Sequence, residues 1–161
     1  MNEPSYATSP DELLTPADLA TMSGFDFIDG MRSGRLPAPP IGKTLNYHLT
    51  EVEEGRVVFE GTPEFTAYNP LGGIHGGWFG TLLDSCMACA VQTTLPKGKG
   101  YTTIEYKVTI LRPVFVTTPP LKAIGTVVSS GRRVATATGE MVGEDGKVYA
   151  TGTTTCLVFD L

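Results

Sequence analysis

At 161 residues, 41% of them hydrophobic, the chain can bury one core and is too short for two ordinary domains. Twelve basic against seventeen acidic residues leave a formal charge of −5, which argues against nucleic acid as a partner but leaves room for an anionic ligand held by local arginines. Three cysteines (Cys86, Cys89, Cys156) make no disulfide framework, and a start without a basic and then apolar run carries no signal-peptide pattern, so a cytoplasmic protein is expected. Residues 1–14 are polar with two prolines and are expected to be loose. Thr15-Pro16-Ala17-Asp18 then predicts a helix start, with Thr15 as N-cap and Pro16 at the first helical position. Gly24 should interrupt this helix, and a further turn or two is expected over Phe27–Arg32, ending at Gly34. Leu36-Pro37-Ala38-Pro39-Pro40 can form neither a helix interior nor a central strand and reads as a covering loop.

Two strands are predicted at Thr44–Val52 and Arg56–Thr62, joined by a turn at Glu53-Glu54-Gly55. From Gly77 to Thr94 the residues are small or apolar with no proline, which predicts one helix. Apolar residues lie all round it, so it must be buried. The stretch Leu71–Leu95 contains His75, Asp84 and several glycines, which argues against a membrane span. Beyond Gly100 the period becomes two: Ile104, Tyr106, Val108 and Ile110 alternate with Thr103, Glu105, Lys107 and Thr109 in a half-buried strand ending at Arg112-Pro113. Leu121–Val128, Val134–Val142 and Val148–Phe159 supply three more strands, with hairpin turns at Ser129-Ser130-Gly131 and Glu144-Asp145-Gly146. This order fits an α+β fold in which one curved antiparallel sheet wraps a central helix. Cover for the helix's remaining side must come from the N-terminal segment or from a second copy of the chain.

Asp84 is the only formally charged residue between Glu64 and Lys97. An ionised carboxylate inside an apolar helix costs several kcal/mol unless it is paired, hydrogen-bonded or shifted in pKa, so it marks either chemistry or an Asp tied to Ser85 or Thr81 or turned to solvent. Gly72, Gly73, Gly76 and Gly77 gather where the helix begins. They serve either a sharp turn with close packing or a set of free backbone N–H groups for a developing oxyanion. The two features constrain each other. If the helix starts at Gly76, Asp84 lies eight residues on, about 12 Å away at ~1.5 Å per residue. One copy cannot bring both to one carbonyl; two antiparallel copies can.

Asn69-Pro70-Leu71-Gly72-Gly73-Ile74-His75-Gly76-Gly77, followed by Thr81-Leu82-Leu83-Asp84, resembles the signature of the PaaI-like (phenylacetic-acid-type) hot-dog thioesterases. The similarity continues through Tyr106–Pro113 and Gly131–Ala135, covering about Leu36 to Val158. It implies a hot-dog fold with an N-terminal helical extension over residues 1–40 and a thioesterase domain over 41–161. It also implies hydrolysis of an acyl-CoA thioester. In that pattern Asp84 activates water or attacks the thioester carbon, and the Gly76 N–H polarises the carbonyl. Asn69 and His75 hold the carbonyl and pocket, and Thr103 orients the water. Gly131, Arg132 and Arg133 fall where relatives contact the coenzyme A nucleotide, although a solvated turn is an equal reading of the arginines. The resemblance implies a homodimer with shared active sites, paired again into a homotetramer. Coenzyme A enters as part of the substrate, and neither a cofactor nor a metal is called for.

Other signals fall away. Cys86 and Cys89 have C-x-x-C spacing but lie mid-helix and read as small core residues, and His48 with His75 makes no zinc set. A hot-dog hydratase or dehydratase and a non-catalytic acyl-CoA binder are the alternatives. The His75-Gly76-Gly77 context counts against the first, and retention of Asp84, Asn69 and His75 against the second. Trp78, Phe79, Leu82, Met87 and Phe65 could line an acyl pocket or belong to the core, and both aromatic and medium-chain acyl groups fit.

Overall fold

The helix start at Thr15 closes as a capping box: Asp18 N–H donates to Thr15 Oγ1 at 3.2 Å and Thr15 N–H to Asp18 Oδ2 at 3.0 Å, opening α1 (Pro16–Leu19). The computed structural model describes residues 5–161. Gly24 does more than end α1, because Ser23 caps a new helix, α2, over Gly24–Arg32. A Cβ at Gly24 would overlap the Gln92 carbonyl of the central helix, so glycine here lets α2 rest directly on that helix. The proline stretch is extended as expected. It then turns into a short helix, α3 (Pro40–Thr44), with Pro40 at its first position, where a missing N–H costs nothing. The first strand therefore starts three residues later than the sequence suggests.

That strand, β1 (Tyr47–Glu53), pairs with β2 (Arg56–Gly61) through a turn in which Gly55 has φ 77°. The central helix α4 spans Gly76–Thr93. Then follow β3 (Lys99–Ile110), β4 (Leu121–Ser130), β5 (Val134–Val142) and β6 (Val148–Asp160). All pairings are antiparallel and the order across the sheet is β1-β2-β4-β5-β6-β3. This is the α+β hot-dog architecture that the resemblance implies.

Twelve of the eighteen α4 residues are buried, so the helix needs cover on more than the sheet side. Leu82, Leu83, Met87 and Val91 lie in the core with Ala123, Ala137, Met141 and Ala150 of the sheet. Helix and sheet approach closely because Gly125, Gly139 and Gly152 stand opposite one another across β4, β5 and β6. A Cβ at Gly125 would overlap the Cys86 backbone, and one at Gly139 would lie 2.9 Å from Met87 and 3.0 Å from Leu83. On the opposite side α2 inserts Ile28, 1% exposed, into the same core. The described part of the segment expected to be loose ahead of α1 is held down as well: Ala7 N–H bonds to Ala38 O in the proline stretch, and Tyr6 Oη donates to the Tyr47 carbonyl of β1 at 3.2 Å.

Strand β3 departs from the half-buried strand expected. Ile104, Tyr106 and Ile110 are 56%, 48% and 46% exposed. The physical reason is position: among the described residues β3 is the sheet's edge and pairs with β6 alone, and a bulge between Thr103 and Glu105 resets its alternation. No helix among the described residues is long and apolar enough to cross a membrane.

Candidate active site

The loop into α4 is organised by its own polar side chains. Asn69 Oδ1 accepts the N–H groups of Leu71 at 2.8 Å and Gly73 at 3.4 Å, and Asn69 Nδ2 donates to the Ile74 carbonyl at 3.4 Å. His75 is the N-cap of α4, its Nδ1 accepting the Gly77 N–H at 2.9 Å. That bond requires an unprotonated Nδ1 and leaves Nε2 as the ring's free position. Gly76, the first helical residue, is exposed, and its N–H is one of those that an α-helix cannot satisfy internally. A Cβ there would touch only Ile110 Cδ1, at 3.4 Å. Asn69, His75 and Gly76 thus stand together at one end of α4.

Asp84 stands two turns further along. Its half-buried carboxylate accepts a hydrogen bond from Thr103 Oγ1 of β3 at 3.0 Å. Neither neighbour suggested by the sequence holds it: Ser85 Oγ pairs with Tyr47 Oη at 3.0 Å, and Thr81 Oγ1 donates to the Gly77 carbonyl at 2.9 Å. Burial raises the Asp84 pKa above the ordinary aspartate value, and the Thr103 bond opposes the rise. The carboxylate therefore keeps more basicity than a solvated one while a single hydroxyl fixes its orientation.

Two clusters result, Asp84 with Thr103 and Asn69 with His75 and Gly76, about 12 Å apart along α4. The Gly131-Arg132-Arg133 turn is a third place. It joins β4 to β5 beside the far end of α4, where Ser130 Oγ and Thr94 Oγ1 are 2.8 Å apart, and both arginines are exposed.

A cavity of about 810 Å³ opens beside Asp84, between α4, β1 and the N-terminal segment. Its α4 wall is Asp84, Ser85, Ala88 and Cys89. Trp78, Phe79, Leu82 and Met87 are core residues at 2% exposure or less and take no part in it, and Phe65 is 76% exposed elsewhere. Tyr47 and Tyr101, which line it, escape a reading by motif. A signal was nonetheless present, since residues 84, 85, 88 and 89 form one small or polar stripe at helical spacing on an otherwise apolar helix. The cysteines are unsuited to nucleophilic work. Burial pushes the Cys89 thiol up to about 12 and raises Cys86 further, so neither is a thiolate near neutral pH.

Residues 71–150 match the family model for the Thioesterase superfamily. A phenylacetic acid degradation-related protein from Ralstonia eutropha JMP134 is similar in structure, with TM-score 0.73 and 29% identity over 81% of this chain and 98% of that one. A point mutant of the phenylacetic acid degradation protein PaaI from Thermus thermophilus gives TM-score 0.66 and 27% identity over 73% and 97%. The E. coli PaaI protein from the phenylacetic acid degradation operon shares the fold, with TM-score 0.68 and 23% identity over 74% and 83%. No curated protein matches the sequence. With the family match spanning both Gly76 and Asp84 on a hot-dog fold, the chain belongs to the thioesterase superfamily as a PaaI-like member.

Proposed function

We propose that the protein hydrolyses acyl-coenzyme A thioesters in a homodimer whose active sites each combine both chains. The supporting observation is Asp84: one carboxylate, made more basic by burial and aimed by Thr103, in the wall of a cavity able to hold an acyl group. Gly76 N–H at the start of the other chain's α4 would hold the thioester oxygen, with Asn69 and His75 keeping the loop in shape. As the carbonyl carbon is attacked, charge grows on that oxygen and the helix start stabilises it.

Asp84 acts in one of two ways. It takes a proton from water as the water oxygen adds to the carbonyl carbon, or it adds itself and the resulting anhydride is hydrolysed. Both routes break the C–S bond, release the thiol of coenzyme A and leave a free acid, and both require an ionised carboxylate. Arg132 and Arg133, with Gly131, are assigned to the nucleotide phosphates of coenzyme A, where a guanidinium fork suits the anion.

Thiol release measured over a panel of acyl-CoAs tests this reading. Asp84→Asn should cost at least about a hundredfold in kcat/KM, since the amide is neither base nor nucleophile, with melting behaviour retained. An Asn variant that turns over at the parental rate refutes the assignment.

A further inference from the structure

The N-terminal segment has no role in the chemistry just described, yet it builds one wall of the cavity beside Asp84. Met31 at the end of α2, Ala38 in the proline stretch and Ile41 in α3 face Leu49, Phe59 and Ala88 across it. This wall is fixed in place. Ala38 N–H donates to Ser5 O at 2.7 Å, the Ala38 carbonyl accepts Ala7 N–H at 2.9 Å, and α2 is anchored in the core by Ile28. From the acyl-thioester reading, on which this step rests, we infer that the cavity receives the acyl group and that residues 31–41 of the N-terminal segment set its length, favouring a long hydrocarbon chain.

Three observations carry the inference. The first is continuity: Asp84 lines the cavity, so an acyl group entering it keeps its carbonyl carbon at the carboxylate. The second is size. At about 30 Å³ for each water-sized group, 810 Å³ has room for roughly two dozen non-hydrogen atoms, far more than a short acyl or a phenylacetyl group would fill. A small acyl group would leave most of the apolar wall in contact with water and gain little from burial.

The third is polarity. Most of the hydroxyls lining the cavity are already engaged: Tyr47 with Ser85 at 3.0 Å, Tyr6 with the Tyr47 carbonyl at 3.2 Å, Ser33 with the Asp29 carbonyl at 2.8 Å and Thr50 with the Val58 carbonyl at 3.1 Å. Arg32, which also lines the cavity, is bound to Asp29 at 2.7 Å. A wall whose hydroxyls are mostly paired gains more from methylenes than from an oxygenated acyl group.

The test compares butanoyl-, phenylacetyl- and dodecanoyl-CoA on the parent protein and on two cavity-filling variants, Ala38→Trp and Ile41→Trp. Ile41 is 43% exposed, so its replacement carries little risk to folding. Dodecanoyl-CoA should have the highest kcat/KM on the parent. Each tryptophan should lower the dodecanoyl-to-butanoyl ratio by about tenfold or more, the scale at which a hydrophobic pocket discriminates by methylene count. Calorimetric binding of dodecanoate, which needs no turnover, should be lost in the same variants. If thioesters are hydrolysed but the ratio and dodecanoate binding stay within about twofold in both folded variants, the cavity assignment is wrong and hydrolysis stands. A parental preference for phenylacetyl-CoA also overturns it. If no thioester is hydrolysed while dodecanoate binds the parent and not the variants, the hydrolytic reading fails and the cavity assignment survives.

Discussion

Two opposed forces meet on Asp84. Burial disfavours its charge, and the hydroxyl of Thr103 at 3.0 Å stabilises it, with burial the larger effect. The sequence singled out Asp84 because one charge in a long apolar run is conspicuous. Its partner was legible only through the family pattern, since Thr103 is nineteen residues away and the two meet through the placement of β3 beside α4. Thr103→Val removes the stabilising bond and leaves the burial. The folded-state pKa of Asp84 must then rise further, and the ionised fraction at a given pH below it must fall. On the proposed mechanism the acid limb of the kcat/KM profile should move to higher pH, with activity partly recovered on the alkaline side. A uniform loss across the profile, with the limb unmoved, would mean that Thr103 acts by some means other than tuning this carboxylate.

At the scale of elements, the helix–sheet contact depends on what is missing from the sheet. Gly125, Gly139 and Gly152 form a cross-strand row beneath Cys86 and Met87, and at Gly125 the neighbour is helix backbone, which no rotamer change can move aside. Gly125→Ala should therefore destabilise by about 3 kcal/mol or more, at or beyond the upper end of ordinary overpacking, read from urea unfolding. A change within about 0.5 kcal/mol would show that α4 can shift without cost. Such rows are hard to see in a sequence, because each glycine sits in a different strand and only the pairing register aligns them. Elements with local signals fared better. The Thr15 cap, the Gly55 and Gly146 turns and the unbroken α4 run each depend on residues close in sequence. Among the elements that escaped, α3 is one turn long, and its prolines argued for an extended chain until Pro40 became its first residue. The cavity escaped for a similar reason: its walls come from residues 5–50, Phe59, α4 and Tyr101, and only tertiary packing joins them.

For the whole molecule, the decisive feature is the open edge. β3 is twelve residues long and unpaired along one side among the described residues, and it exposes Ile104, Tyr106 and Ile110. Long edges of this kind invite pairing unless something covers them. The exposed residues also flank the start of α4: Tyr106 Oη lies 3.3 Å from where a Gly80 Cβ would be, and Ile110 lies beside Gly76. A partner on this edge would approach the place where a second chain's Asp84 is needed. The proposed dimer thus joins two separate requirements, cover for an apolar edge and a route across the roughly 12 Å between Gly76 and Asp84. It makes a demand that a monomeric enzyme would not. Asp84→Asn and Gly76→Val should each be inactive alone, the second because a branched side chain blocks the approach of the thioester oxygen to the helix start. In a mixed dimer, one site takes Gly76 from the first variant and Asp84 from the second, and the other site inherits both defects. Equal mixing with free subunit exchange should restore up to about a quarter of parental turnover, since half the dimers are mixed and each has one intact site. Mixed dimers verified by differential tagging that show no recovery, or a monomer with full activity, would refute the shared site.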